Sequence, residues 1–157
     1  MEEEIRQLEQ LYHEVGPSLL GYFRRQPALA PDAEDLLQDT FVRACTHIDR
    51  MRAAASRRAY LFGIARHVGI DAFRRLRPVA ELAPDAPGAV GAEDDRLESV
   101  RQEIAALPEA QREALLLKLN HDLSYDEIAE ALAIPVGTVR SRLHHAVLRL
   151  RQALNPT

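Results

Sequence analysis

The chain has 157 residues, 46% hydrophobic and 28% charged, with a formal net charge of −4. That balance excludes a disordered chain and fits one ordinary domain or two small ones. No stretch approaches the roughly 20 apolar residues needed to cross a bilayer, so no membrane insertion is expected, and the acidic start Met1-Glu2-Glu3-Glu4 lacks the pattern of a signal peptide.

The protein is therefore expected to stay in the cytoplasm. Its single cysteine, Cys45, cannot form an internal disulfide, which agrees with a reducing compartment. Ala, Leu, Arg and Glu abound, Trp is absent, and no alternating strand pattern stands out. An all-α fold is expected: two small helical domains joined by a flexible linker, the C-terminal one a helix-turn-helix.

Ile5, Leu8, Leu11, Tyr12 and Val15 recur at helical spacing. Gly16-Pro17 is expected to break or kink that helix, with Leu19, Leu20 and Phe23 continuing its apolar face. Pro31-Asp32 is a start signal. Asp32 is a candidate N-cap, and Glu34 and Asp35 stand in the first turn, where the helix dipole favours anions. Leu36, Leu37, Thr40, Phe41, Ala44, Cys45 and Ile48 then form an apolar stripe, which makes Cys45 a packed small residue rather than a nucleophile. Ser56 is a candidate cap for a further helix, whose buried face is Leu61, Ile64, Ala65, Val68, Ala72 and Leu76.

The segment from Pro78 to Glu93 is rich in Pro, Gly, Ala and acid and shows no helical stripe. It divides the chain into a first domain, 1–78, a linker, 79–94, and a second domain, 95–157. In the second domain, Leu97, Val100 and Ile104 mark one helix. Pro108 suits the first turn of the next, which carries Leu115, Leu116 and Leu119. Ser124-Tyr125-Asp126-Glu127 is a capping box opening a helix to about Leu132, and after Ala133-Ile134-Pro135 a last helix runs from about Val136 to Leu154.

Two short helices joined by about three residues, the second of them basic, make a helix-turn-helix pattern. Ile128, Ala129 and Leu132 face inward from the first, and Val139, Leu143, Val147, Leu150 and Leu154 from the second. A rotation of about 100° per residue puts Thr138, Ser141, His144, His145, Leu148 and Gln152 on the outer face, with Arg140 and Arg142 on its flanks. Thr138, Ser141, His144 and His145 are candidates for base edges. Arg140, Arg142 and Arg149 are candidates for phosphates. Leu148 is apolar on an exposed face and suits a protein contact.

The charge pattern supports nucleic-acid binding in two places. Residues 52–77 hold Arg52, Arg57, Arg58, Arg66, Arg74, Arg75 and Arg77 against the single acid Asp71, and residues 136–157 hold four Arg and no acid. Between them, residues 79–113 carry nine acids and three bases, so affinity for DNA should be local and weak in the isolated protein. In the first basic stretch, Gly63, Arg66, His67, Ile70, Arg74 and Arg77 lie opposite the apolar stripe and Tyr60 stands near the start. Arginines with an aromatic suit single-stranded DNA. Asp71 with Arg75 also makes an ordinary i,i+4 surface pair.

Three blocks resemble the extracytoplasmic-function (ECF) sigma factors of the sigma-70 family. Asp32-Ala33-Glu34-Asp35-Leu36-Leu37-Gln38-Asp39-Thr40-Phe41-Val42-Arg43-Ala44 resembles their core-binding segment. Ala59-Tyr60-Leu61-Phe62-Gly63-Ile64-Ala65-Arg66-His67, through Asp71-Ala72-Phe73-Arg74-Arg75, resembles their promoter-melting helix. Leu123-Ser124-Tyr125-Asp126-Glu127-Ile128-Ala129-Glu130 with Pro135-Val136-Gly137-Thr138-Val139-Arg140-Ser141-Arg142-Leu143 resembles their C-terminal helix-turn-helix. The resemblance implies that 1–78 is sigma region 2 and 95–157 sigma region 4. It implies an alternative sigma factor, not an enzyme, that binds RNA polymerase core and directs promoter-specific initiation.

The same resemblance implies residue roles. Asp35, Leu36, Gln38, Asp39 and Phe41 would dock on the β′ coiled coil. Arg58, Tyr60, Arg66, His67, Arg74 and Arg75 would open the minus-ten element and hold its non-template strand. Thr138, Arg140, Ser141, Arg142, His144, His145 and Arg149 would read the minus-thirty-five element as duplex, and the same domain would touch the β flap. An anti-sigma factor is a candidate further partner. Tyr60 stands where the family usually has Trp, His67 where it has Asn, and Ala133 where Gly is common. A left-handed backbone at Ala133 would cost about 1 kcal/mol.

No cofactor or metal is expected. His144 and His145 are adjacent on a helix and point about 100° apart, which prevents joint chelation of one ion. Gly63 and Gly69 form no phosphate loop. The rival readings are a stand-alone helix-turn-helix regulator binding duplex DNA as a dimer, and a module that sequesters a partner. The sigma-like blocks of the first domain favour initiation over both.

Overall fold

The computed structural model describes residues 1–80 and 95–155, with residues 77–80 described by their backbone alone. The described residues form eight α-helices and one 3-10 turn and contain no strand. In chain order these are α1 (Glu2–Arg24), the 3-10 turn Ala30–Asp32, α2 (Ala33–Thr46), α3 (Ile48–Ala53), α4 (Arg57–Ala80), α5 (Asp95–Ala105), α6 (Glu109–His121), α7 (Tyr125–Leu132) and α8 (Val136–Leu154). They fall into two compact units, one carrying α1–α4 and the other α5, α6, most of α7, and α8. The all-α expectation holds. The segment expected to be a linker lies outside the described residues, except that Val79 and Ala80 belong to the end of α4.

In the first unit, α2 packs against both α1 and α4. Leu11, Val15, Leu19 and Phe23 of α1 are buried at steps of four, on both sides of Pro17. The expected break at Gly16-Pro17 does not occur: α1 runs unbroken through Pro17. A proline inside a helix costs about 3 kcal/mol. Two buried residues on each side, at about 1.5–3 kcal/mol apiece, outweigh that.

Ring contacts tie the unit together. Tyr12 meets Phe41 edge-on at 5.0 Å between centroids, and Tyr22 meets Phe62 at 5.8 Å. Asp32 precedes α2 as expected, but its side chain makes no cap hydrogen bond, because the residue closes the 3-10 turn with φ −105° and ψ 15°, outside the usual extended cap geometry. Ser56 does cap α4: the Ala59 N–H donates to its Oγ at 3.0 Å. Cys45 is exposed, contrary to the packed position expected of it. It lies one step beyond Ala44, which is fully buried and ends the stripe.

In the second unit, α8 packs on α6 and α5. Pro108 takes the cap position of α6, one residue before its first turn. Ala114, Leu115, Leu117 and His121 are the buried residues of α6, whereas Leu119, expected on its apolar face, is 60% exposed. The inner face of α8 is Val139, Leu143 and Ala146, with Leu150 half-buried. Val147 and Leu154, expected inside, are each 38% exposed. Residue 146 keeps the 3.6-residue period from Leu143, and Val147 drifts off the stripe.

Both turns leading into this motif close with left-handed residues. Asp122 at φ 52° ends α6, and its N–H bonds the Lys118 carbonyl at 3.1 Å. Ala133 at φ 55° ends α7. There the Ile134 N–H reaches the Ala129 carbonyl at 3.0 Å and the Ala133 N–H the Glu130 carbonyl at 3.3 Å, the paired bonds of a Schellman motif. Ala rather than Gly therefore holds the turn, at the cost anticipated from the sequence.

Candidate functional site

Three surfaces carry the residues singled out above. The first lies between α2 and α4. A groove of about 610 Å³ is lined by Asp32, Asp35, Leu36, Gln38, Asp39 and Val42 of the first arm and by Ala72, Arg75 and Leu76 of the second. Three aspartates border an apolar floor, which suits a basic, partly apolar helix.

The residues expected to dock here are not equivalent. Asp35 and Gln38 are exposed and Asp39 is half-buried. Leu36 and Phe41 are buried at 6% and 8% exposure, and Phe41 turns toward Tyr12 on α1. Leu36 still lines the groove floor, whereas Phe41 does not border it. Val42, 62% exposed and bordering the groove, was not singled out in the sequence. Its position on the side of α2 opposite Ala44 and Thr40 was the available signal.

The second surface is one face of α4. Tyr60, Gly63, His67, Ile70 and Arg74 recur at steps of three and four and share one side. His67 and Arg74 are exposed; Tyr60, Arg58 and Arg66 are half-buried. Arg75, grouped with them from the sequence, instead lines the groove beside α2, about 100° around the helix from Arg74. Arg52 also leaves the basic patch: its Nη1 bonds Glu4 Oε1 at 3.2 Å on α1. Asp71, the only acid of α4, does not take the expected Arg75 but Arg43, at 3.3 Å. That pairing offsets a negative charge beside the arginines.

The third surface is the outer face of α8. Gly137, Ser141, His144 and Leu148 follow each other at steps of four, three and four, and all are exposed. Arg140, His145 and Arg149 are exposed beside them, while Thr138 and Arg142 are half-buried. Ser141 Oγ lies 3.4 Å from His145 Nδ1, and the rings of His144 and His145 meet edge-on at 5.7 Å. A Cβ added at Gly137 would meet nothing within 4 Å, so the first turn of the helix is uncovered at that position. Farther along, Arg149 and Leu150 border a groove of about 380 Å³ with Glu103, Ala106 and Leu107 of the preceding arm. Leu148 is 42% exposed, as anticipated. No helix among the described residues is long and apolar enough to cross a membrane.

Comparison with known proteins places the chain in a family. The family model "Sigma-70 region 2" matches residues 11–79 and "Sigma-70, region 4" matches residues 97–150. RNA polymerase sigma factor YlaC of Bacillus subtilis is 31% identical over 156 residues, covering 92% of this chain and 90% of that protein. ECF RNA polymerase sigma factor SigC of Mycobacterium tuberculosis is 41% identical over 129 residues, 78% of this chain and 68% of that one. Among solved structures, the sigma factor RpoE of Bartonella quintana, in complex with the anti-sigma factor NepR, superposes with a TM-score of 0.69 at 27% identity over 95% of this chain and 97% of that chain. CnrH, in complex with the cytosolic domain of CnrY, gives 0.70 at 27% identity over 96% and 89%. The sigma-factor family is not a family of enzymes. The chain belongs to the ECF group of the sigma-70 family, the alternative sigma factors that direct transcription initiation.

Proposed function

We propose that this sigma factor divides its work among the three surfaces. The groove beside Asp35, Gln38, Asp39 and Val42 docks on the β′ coiled coil of RNA polymerase core. The face of α4 bearing Tyr60, His67 and Arg74 opens the minus-ten element and holds its non-template strand, with Arg58 and Arg66 at its margins. The outer face of α8 enters the major groove at the minus-thirty-five element: Ser141, His144 and His145 toward bases, Arg140, Arg142 and Arg149 toward phosphates, with Thr138 at the leading end. Leu148 and the groove beside Leu107 and Leu150 meet the β flap.

The reading is supported above all by the order of the matches, region 2 over 11–79 and region 4 over 97–150, on the same units that carry these surfaces. Residues 1–78 act as region 2, 79–94 as the connection and 95–157 as region 4. Polymerase supplies the chemistry and its magnesium, and this chain brings no cofactor. It works in the cytoplasm, where polymerase and promoter meet. Both structural neighbours were solved with a second protein, NepR or the cytosolic domain of CnrY. An anti-sigma factor is the corresponding candidate partner here.

The docking assignment is tested by measuring affinity for core polymerase after Asp35→Lys and Asp39→Lys. Affinity should fall more than tenfold for the pair, given the cost of like charges at an interface. Unchanged affinity would refute the assignment.

A further inference from the structure

Arg43 stands on α2, one turn after Asp39, and reaches two carboxylates at once. Its Nη1 donates to Asp71 Oδ2 on α4 at 3.3 Å, and its Nη2 lies 3.7 Å from Asp39 Oδ2 on its own helix. Asp39 lines the groove between the two helices. Asp71 is the only acid in the whole of α4, one turn beyond His67 and next to Ala72 of the groove wall. A planar guanidinium can serve two partners in fixed directions, which an ammonium cannot.

We propose that Arg43 is a positioning residue through which docking on α2 is carried to DNA opening on α4. The proposal rests on the docking and opening surfaces assigned above. Arg43 holds the opening helix in register with the docking helix. It also masks the one carboxylate that would repel DNA phosphates along α4. Arg43 lies outside the groove lining, and its pair with Asp39 is long and well exposed, at 3.7 Å, so its loss should change core binding far less than opening. The loss would be felt after docking, when α4 must meet a strand that is leaving its duplex.

The test uses full-length protein with core polymerase at saturation and follows promoter opening by permanganate reactivity of unpaired thymines, beside core affinity and thermal melting. Arg43→Gln should slow opening by up to about fivefold, the scale of one partly exposed ion pair, with core affinity within about twofold of wild type. Arg43→Lys should recover part of the rate. Asp71→Asn should add no further loss in the Arg43→Gln background, because the charge left unmasked is then gone. Opening at the wild-type rate in Arg43→Gln would overturn the proposal. So would core affinity and opening falling together in step with a lower melting temperature, which marks a general packing role. Wild-type protein that binds no core would overturn the docking assignment and this proposal together, and is distinguished from the other two outcomes by the wild-type control.

Discussion

Ser124 and Glu127 satisfy each other's backbone amides. The Glu127 N–H donates to Ser124 Oγ and the Ser124 N–H donates to Glu127 Oε1, each at 3.1 Å. The bonds open α7, the first helix of the helix-turn-helix. Ser124→Ala should destabilise the second unit by about 1 kcal/mol. A thermal melt should show the transition of this unit about 4–8 °C lower. No shift would mean that the cap is solvated and idle.

Ala133 predicts a change of the opposite sign. Its backbone is left-handed, at φ 55°, a conformation that costs a non-glycine residue about 1–2 kcal/mol. Ala133→Gly relieves that cost and adds back some chain entropy in the unfolded state. The net stabilisation should be roughly 0.5–1 kcal/mol, read as a higher melting midpoint. A lower midpoint would contradict the account of the turn.

The docking helix separates stability from binding residue by residue. Phe41 is buried against Tyr12, so Phe41→Ala should cost about 3–5 kcal/mol of stability. Asp35 is exposed, and Asp35→Ala should change stability by no more than about 0.5 kcal/mol while weakening polymerase binding. Urea unfolding paired with a core-binding titration checks both. Equal loss of stability in the two variants would undo the division of α2 into a core side and a docking side.

On α8, Arg140 is exposed at the flank of the outer face. As a phosphate contact, its replacement by Ala should weaken duplex binding about equally across sequences and reduce the salt slope by about one. Ser141→Ala should instead act at particular bases. A salt titration of holoenzyme binding to matched and mismatched minus-thirty-five elements distinguishes the two. An unchanged slope in Arg140→Ala would remove Arg140 from the phosphate contacts.

The helix-turn-helix was legible in the sequence because its determinants are local. A capping box, an Ala-Ile-Pro turn and a basic helix lie within thirty residues, and the backbone bonds that close them span three to five positions. That α1 continues through Pro17 was not legible locally, because it depends on the burial of Leu11, Val15, Leu19 and Phe23, which is a tertiary gain. Cys45 and Val147 were misplaced because each lies at the edge of a helical stripe, where periodicity alone does not distinguish buried from exposed.

The α2–α4 groove was legible only on one side. Asp35, Gln38 and Asp39 were readable as polar members of a motif. That Leu36 sits on the groove floor while Phe41 is buried against Tyr12 is set by packing, which periodicity does not report. Arg75 on the far wall and the Arg43–Asp71 pair join residues 28 or more apart in sequence. No helical period reports such a pairing.

Reconstituted transcription separates a sigma factor from a stand-alone regulator. Purified protein is added to core polymerase free of any sigma subunit, over a library of promoter fragments. Specific starts from a shared two-part motif are expected, absent without the protein and lost when Asp35 and Asp39 are both replaced by Lys. Absence of initiation and of core binding, together with tight duplex binding by the protein alone, would contradict that expectation and identify a stand-alone regulator.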